Sequence, residues 1–177
     1  LSIHIRNDQK SLRISVRTTT KGNSLKEVCI FDIDGTVCDS SKFAHFLSCK
    51  PKNYDAFWAG VPHYDPLPLI VTVKLCMRHD MGVVFSTARD ECTRNDTLEW
   101  LERHLERPVA NENLYMRGTG DYRPDYLLKL DLLASIKSRF GITDYFAYED
   151  IERVQNMYME NDVTVYCPVK CVWLNEV

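Results

Sequence analysis

Two carboxylates, Asp32 and Asp34, stand two residues apart in "FDIDGTVCDS" (31–40), where the apolar run Val28-Cys29-Ile30-Phe31 gives out. In a strand, residues i and i+2 face the same side, so the two acids are predicted to leave the strand end together. Gly35 permits a sharp bend behind them. Paired acids at the mouth of a buried strand are costly unless something neutralises them, and a divalent cation is the usual partner. One such carboxylate can attack phosphorus and form an acyl phosphate. Its neighbour can hand a proton to a leaving oxygen and later take one from water.

The elements that must hold these acids follow from hydrophobic periodicity. Strand signals recur at 28–32, 82–86, 113–116, 145–148 and 163–167, with a further one at 171–174. Helical spacing of apolar residues covers 66–79, 93–106, 124–139 and 150–160. Thr93 is the expected N-cap of the second helix, with Asp96 three residues on and Pro108 beyond its end. Pro124 suits the first turn of the third. Alternating strand and helix predicts a doubly wound α/β domain with a mainly parallel sheet. Right-handed crossovers then gather the loops after each strand on one edge.

That edge collects reactive side chains. Asp32 and Asp34 follow the first strand. Ser86, Thr87 and Arg89 follow the second in "GVVFSTARDE", and Glu149 and Asp150 follow the fourth in "YFAYEDIERV". Lys129 lies early in the helix before that fourth strand, with Lys137 further along the same helix as an alternative. Each type suits phosphoryl transfer. Acids hold Mg²⁺, which takes oxygen ligands. A hydroxyl, a lysine and backbone N–H groups stabilise the charge on the equatorial oxygens.

These residues, in this order, resemble the haloacid dehalogenase-like (HAD) phosphohydrolase superfamily over about residues 27–175. "DIDGT" is similar to its D-x-D-G-T first motif, "FSTA" to the second, Lys129 to the third-motif lysine and "YED" to the acidic fourth. Within the superfamily the chain most resembles the 3′-phosphatase domain of phage polynucleotide kinase–phosphatase and its stand-alone relatives. The phrases that carry this are "NYDAFW", "TARDE", "LYMRGTGDYRPDYLLK" and "EDIERVQNMY". The resemblance implies Asp32 as nucleophile and Asp34 as general acid and base. It puts Thr87, in preference to Ser86, and Lys129 on the phosphoryl oxygens. Mg²⁺ would be held by Asp32, the Asp34 backbone carbonyl and Asp150, with Glu149 in support. Arg89, Arg117 and Arg123 would bind substrate. Two departures stand out: the usual Asp-Asp-Arg is Glu149-Asp150-Ile151 here, and an arginine usual about ten residues after the first motif is absent, with Lys42 the nearest replacement. The implied activity is Mg²⁺-dependent removal of a terminal phosphate, a 3′-phosphate first, from nucleic acid ends. The alternatives are a mononucleotidase or other small-molecule phosphatase, and a non-catalytic module that binds phosphorylated ends. The last would be marked by loss of Asp32 or Asp34, and both are present.

Composition sets the frame. The chain has 177 residues, 45% hydrophobic and 27% charged, as expected for a globular domain. No apolar stretch approaches the ~18 residues of a membrane span, and the first residues lack the apolar core of a signal peptide. Seven scattered cysteines without a C-x-x-C pair are expected to be free thiols, and the location cytoplasmic. No P-loop occurs within these residues, so no kinase half is expected there. Residues 1–26 carry six basic residues against Asp8 alone, a net of +5 on a chain whose net charge is −3. They read as a basic extension, with "SIHIR" and "LRISVR" suggesting a β-hairpin, and residues 27–177 as the phosphatase domain. The interval of about 40–66 leaves room for only a small cap. Tyr54, Phe57 and Trp58 within it are expected to pack that cap rather than stack on bases. An open site of this kind admits a macromolecular end.

Overall fold

The computed structural model describes residues 2–8, 11–17, 27–79, 81–141 and 144–168. The expected strand at 171–174 lies outside them. In chain order the strands are β1 (Ser2–Asp8), β2 (Ser11–Arg17), β3 (Glu27–Phe31), β4 (Cys38–Asp39), β5 (Asp65–Pro66), β6 (Gly82–Asp90), β7 (Leu114–Arg117), β8 (Asp144–Tyr148) and β9 (Thr164–Tyr166). The helices are α1 (His45–Ser48), α2 (Tyr54–Trp58), α3 (Ile70–Arg78), α4 (Arg94–Leu105), α5 (Asp125–Phe140) and α6 (Glu152–Glu160).

Five parallel strands form the main sheet in the order β7-β6-β3-β8-β9. Connections through α3 and α4 run one way from β3, and those through α5 and α6 return to its other side, so the strand order reverses at β3. Ligands of open α/β sheets bind at this switch point. Val28, Cys29, Ile30 and Phe31 are buried on both faces, as the central strand of a parallel sheet requires. Alternation divides them. Cys29 and Phe31 pack with Val73, Trp100 and Leu101 from α3 and α4, whereas Val28 and Ile30 pack with Leu133, Ile136 and Val154 from α5 and α6. The chain is thus the doubly wound α/β fold expected.

Three local differences have clear causes. The first helix begins at Ile70 rather than 66, because Asp65–Pro66 pair with β4 and Leu67 N–H bonds Val37 C=O at 2.9 Å. Thr93 does not cap α4 with its side chain; its hydroxyl donates to Asp90 C=O at 2.8 Å. Pro124 sits one residue ahead of α5, and its carbonyl accepts from Leu127 and Leu128 N–H. The paired strands β4 and β5 close the base of a short helical insertion holding α1 and α2. There Phe57 is buried, its ring centroid 4.8 Å from Trp58 and 5.8 Å from Tyr64, which is packing as expected. β1 and β2 form an antiparallel pair separate from the main sheet.

Candidate active site

The register sets three strand ends side by side: Phe31 pairs with Phe85 on β6 and with Tyr148 on β8. The residues that follow are Asp32, Ser86 and Glu149. Asp32 N–H continues the ladder to Tyr148 C=O at 3.0 Å. From α5, buried Lys129 reaches across with its Nζ 2.5 Å from Asp32 Oδ1 and 2.7 Å from Glu149 Oε2. Lys137, the alternative, is elsewhere: its Nζ donates to Asn161 C=O at 2.5 Å. Burial raises the pKa of the Asp32 and Glu149 carboxyls, and the Lys129 charge opposes that rise in both. Burial disfavours the charge on Lys129 too, but Asp32 and Glu149 outweigh it and hold the ammonium protonated.

Asp150 completes a cluster. One carboxylate oxygen each from Asp32, Glu149 and Asp150 lie within 4.8 Å of one another. Asp150 Oδ1 is buried and has no hydrogen-bond partner among the described residues. Ionising all three carboxylates against one ammonium would leave an excess of negative charge in a buried place, which a small divalent cation would offset. An oxygen-only donor set suits such an ion. Gly35, at φ +85°, carries the chain over this spot, and a Cβ there would overlap the Asp150 carboxylate. The glycine is required both by its backbone conformation and by that close approach.

Asp34 takes a different partner. Arg89 grips it with both ends of its fork, Nε to Oδ2 at 2.8 Å and Nη2 to Oδ1 at 2.9 Å. Thr97 Oγ1 and Cys38 Sγ accept further Arg89 donors at 3.2 Å each, and the Tyr64 ring lies 5.3 Å from the guanidinium. Arg89 is 1% exposed, whereas the Asp34 side chain is 28% exposed. Two of the expected site residues meet here. Asp34 does not share the cluster of Asp32, Glu149 and Asp150 through its carboxylate. Arg89, expected to bind substrate, is buried and orients Asp34. Arg89 lies in an irregular stretch, where β6 takes four steps from Ser86 to Asp90 and β7 takes two from Tyr115 to Arg117. Its guanidinium lies against Tyr64 and Cys38, which belong to the same core cluster as Val83 and Phe85, and its N–H bonds Thr87 Oγ1 at 3.2 Å. Thr87 and Ser86 are both buried, and Ser86 Oγ faces the other layer, 3.4 Å from the Tyr158 hydroxyl.

Arg117 and Arg123, also expected to bind substrate, are engaged within the loop after β7. Arg117 donates to the carbonyls of Ala88, Asp121 and Arg123 and to Asp125 Oδ1. Arg123 forks onto Asp121 and reaches Asp131 Oδ2 at 2.7 Å. Sequence reasoning also missed Tyr64, Thr97 and Cys38 as supports of Arg89, and Gln155, whose amide donates to Glu149 C=O at 2.8 Å. Thr97 and Gln155 sit on the inward faces of helices, the one signal that could have pointed to them. Ile151, in the place of the resembled family's arginine, is half exposed.

A family model described as the polynucleotide kinase PNKP phosphatase domain matches residues 26–167. The chain belongs to this family. It carries a HAD-type phosphatase domain, in which Asp32, Glu149, Asp150 and Lys129 converge. A protein of Autographa californica nuclear polyhedrosis virus named "Putative bifunctional polynucleotide kinase/RNA ligase" is 28% identical over 127 residues, 71% of this chain and 17% of that one. Among solved structures, a chain of the Pnkp1/Rnl/Hen1 RNA repair complex superposes with a TM-score of 0.58 at 21% identity, over 86% of this chain and 45% of that one. D,D-heptose 1,7-bisphosphate phosphatase from B. bronchiseptica, complexed with magnesium and phosphate, gives a TM-score of 0.55 at 19% identity over 80% and 79%. The structural likenesses show the fold. This chain spans less than half of the viral relative and of the repair-complex chain. Among the described residues, no helix is long and apolar enough to cross a membrane.

Proposed function

We propose that this domain is a Mg²⁺-dependent phosphomonoesterase that removes terminal phosphates, 3′-phosphates first, from nucleic acid ends. The observation that carries the chemistry is the division of labour between two carboxylates of one motif. Asp32 is buried against Lys129 at the switch point, and Asp34 is partly exposed and aimed by Arg89. Asp32 attacks phosphorus, the P–O bond to the leaving alkoxide breaks, and an aspartyl-phosphate forms. Asp34 gives its proton to the departing oxygen and then takes one from the water that cleaves the acyl phosphate. Lys129 and Thr87 hold the phosphoryl oxygens. Asp32 and Asp150, with the Asp34 backbone carbonyl and Glu149 in support, would hold Mg²⁺, which offsets charge on the phosphoryl group. The orphaned Asp150 Oδ1 favours that assignment.

The substrate class rests on the family, on the names of the viral relative and the repair complex, and on the short insertion between β4 and β5, which we read as a small cap that leaves the strand edge open. The preference for 3′ over 5′ rests on the quoted sequence phrases. We assign residues 27–177 to the phosphatase domain and residues 1–26 to a basic extension, read first as a surface hairpin and second as an arm for the phosphate backbone. A phosphate-release panel tests the reading, covering 3′- and 5′-phosphorylated oligonucleotides and 3′- and 5′-mononucleotides, each with Mg²⁺ and with chelator. Fastest release from the 3′-phosphorylated oligonucleotide, abolished by chelator, is expected. Faster turnover of mononucleotides would refute the macromolecular substrate, and full activity in chelator would refute the metal.

A further inference from the structure

We propose that Tyr122 is a stacking platform for a nucleobase at the end being dephosphorylated; this rests on the nucleic acid substrate proposed above. Tyr122 is 93% exposed, the most exposed of the large hydrophobic side chains described. Its loop follows β7 on the same sheet edge that carries Asp32. β7 stands two strands from β3, about 10 Å at the usual strand spacing, within reach of a terminal nucleotide whose phosphate lies on Asp32.

The loop that carries the ring is braced from both sides. Arg117 ties two of its carbonyls, Asp121 and Arg123, to Ala88 C=O of β6 and to Asp125, and Arg123 braces it through Asp121 and Asp131. Asp125 and Asp131 belong to α5, the helix that also delivers Lys129 to Asp32. The loop that presents the ring is therefore anchored to the helix that carries Lys129. A rigid aromatic offers contact area at little ordering cost.

Charge does not explain the loop. Arg117 and Arg123 face Asp121, Asp125 and Asp131, so two cations meet three carboxylates and little attraction for a phosphate backbone remains. What the loop presents is a flat face. Every base has a π-face, so such a platform recognises a nucleotide without reading its sequence.

The test uses 3′-phosphorylated oligonucleotides that carry either a base or an abasic site at the terminal nucleotide. The readout is the ratio of kcat/KM values for the two ends. In Tyr122→Ala that ratio should fall about 5- to 10-fold, the low end for base–aromatic stacking. Tyr122→Phe should keep the wild-type ratio, since the ring and not the hydroxyl is required. An unchanged ratio in Tyr122→Ala, on a wild-type enzyme that hydrolyses both ends, would overturn the stacking role alone. A wild-type enzyme that hydrolyses neither end but does hydrolyse free nucleotides or sugar phosphates would overturn the substrate class and the stacking role together. Because the side chain is almost fully in solvent, its replacement leaves the core intact, and equal thermal midpoints for the three proteins would confirm that.

Discussion

Arg89 offers the sharpest perturbation. It makes a bidentate pair with Asp34 and is itself buried. Replacing it by Met preserves length and apolar packing but leaves the carboxylate without its fork. Breaking a fully buried pair costs about 3–5 kcal/mol. Asp34 is 28% exposed and can regain water, so a loss of about 2 kcal/mol is a fairer figure. For a chain of this size that lowers the midpoint by about 4–8 °C. The catalytic effect should exceed the stability effect. A general acid–base group contributes about 10²–10⁴ in rate, and an Asp34 free to rotate should lose at least about 10² of it. Arg89→Lys keeps the charge but not the fork, so it should fall between. The decisive assay varies the leaving group. An alkyl phosphate needs a proton from Asp34, whereas an aryl phosphate with an acidic phenol does not. In Arg89→Met the alkyl substrate should slow sharply, while the aryl substrate should show a burst of phenol and accumulate acid-stable aspartyl-phosphate, because water activation is still impaired. Equal slowing of both substrates with no trapped phosphoenzyme would refute the idea that Arg89 works through Asp34. So would an alkyl rate close to that of the wild type.

Asp32→Asn keeps the shape and removes the attacking charge; activity should fall by at least ~10³ while circular dichroism stays native, and near-normal turnover would reject Asp32 as nucleophile. Gly35→Ala places a methyl against the Asp150 carboxylate at a φ of +85°, so it should cost about 1–3 kcal/mol and raise the Mg²⁺ concentration needed for half-activity; an unchanged metal titration would show that Asp150 does not serve the cation. If residues 1–26 track the phosphate backbone, deleting them should raise KM for oligonucleotides and flatten the salt dependence of binding, because fewer counterions are released, without slowing a small aryl phosphate; a structural hairpin would instead lower thermal stability and affect both substrates alike. Equal KM values and salt slopes would show that the +5 extension does not track the backbone.

The sheet was legible because its signals are local. Runs such as Val28–Phe31 and Val83–Phe85 are apolar enough to be buried on both faces, and the helices between them repeat apolar residues at helical spacing. Once β3 is central, Asp32, Glu149 and Asp150 must follow adjacent strand ends, and a lysine one turn into α5 falls within reach. The start of α3 was less legible, because whether Asp65–Leu67 opens a helix depends on β4 and Val37 waiting to bond them. That is tertiary context overriding propensity.

The arginines were illegible for a deeper reason. Side-chain direction in a regular strand follows from counting by two, which puts Arg89 on the face of Val83 and Phe85, under α3 and α4. What "STARD" does not announce is that Tyr64, Thr97 and Cys38, distant in sequence, meet on that face to enclose a guanidinium. The result is that a residue expected to meet substrate is among the most buried, closed over by Tyr64 and Thr97. A buried, fully engaged guanidinium cannot also be the first contact with an incoming polyanion. On the stacking proposal, the contact that Arg89 does not supply falls to Tyr122, exposed in a loop whose two arginines are paired with neighbouring acids.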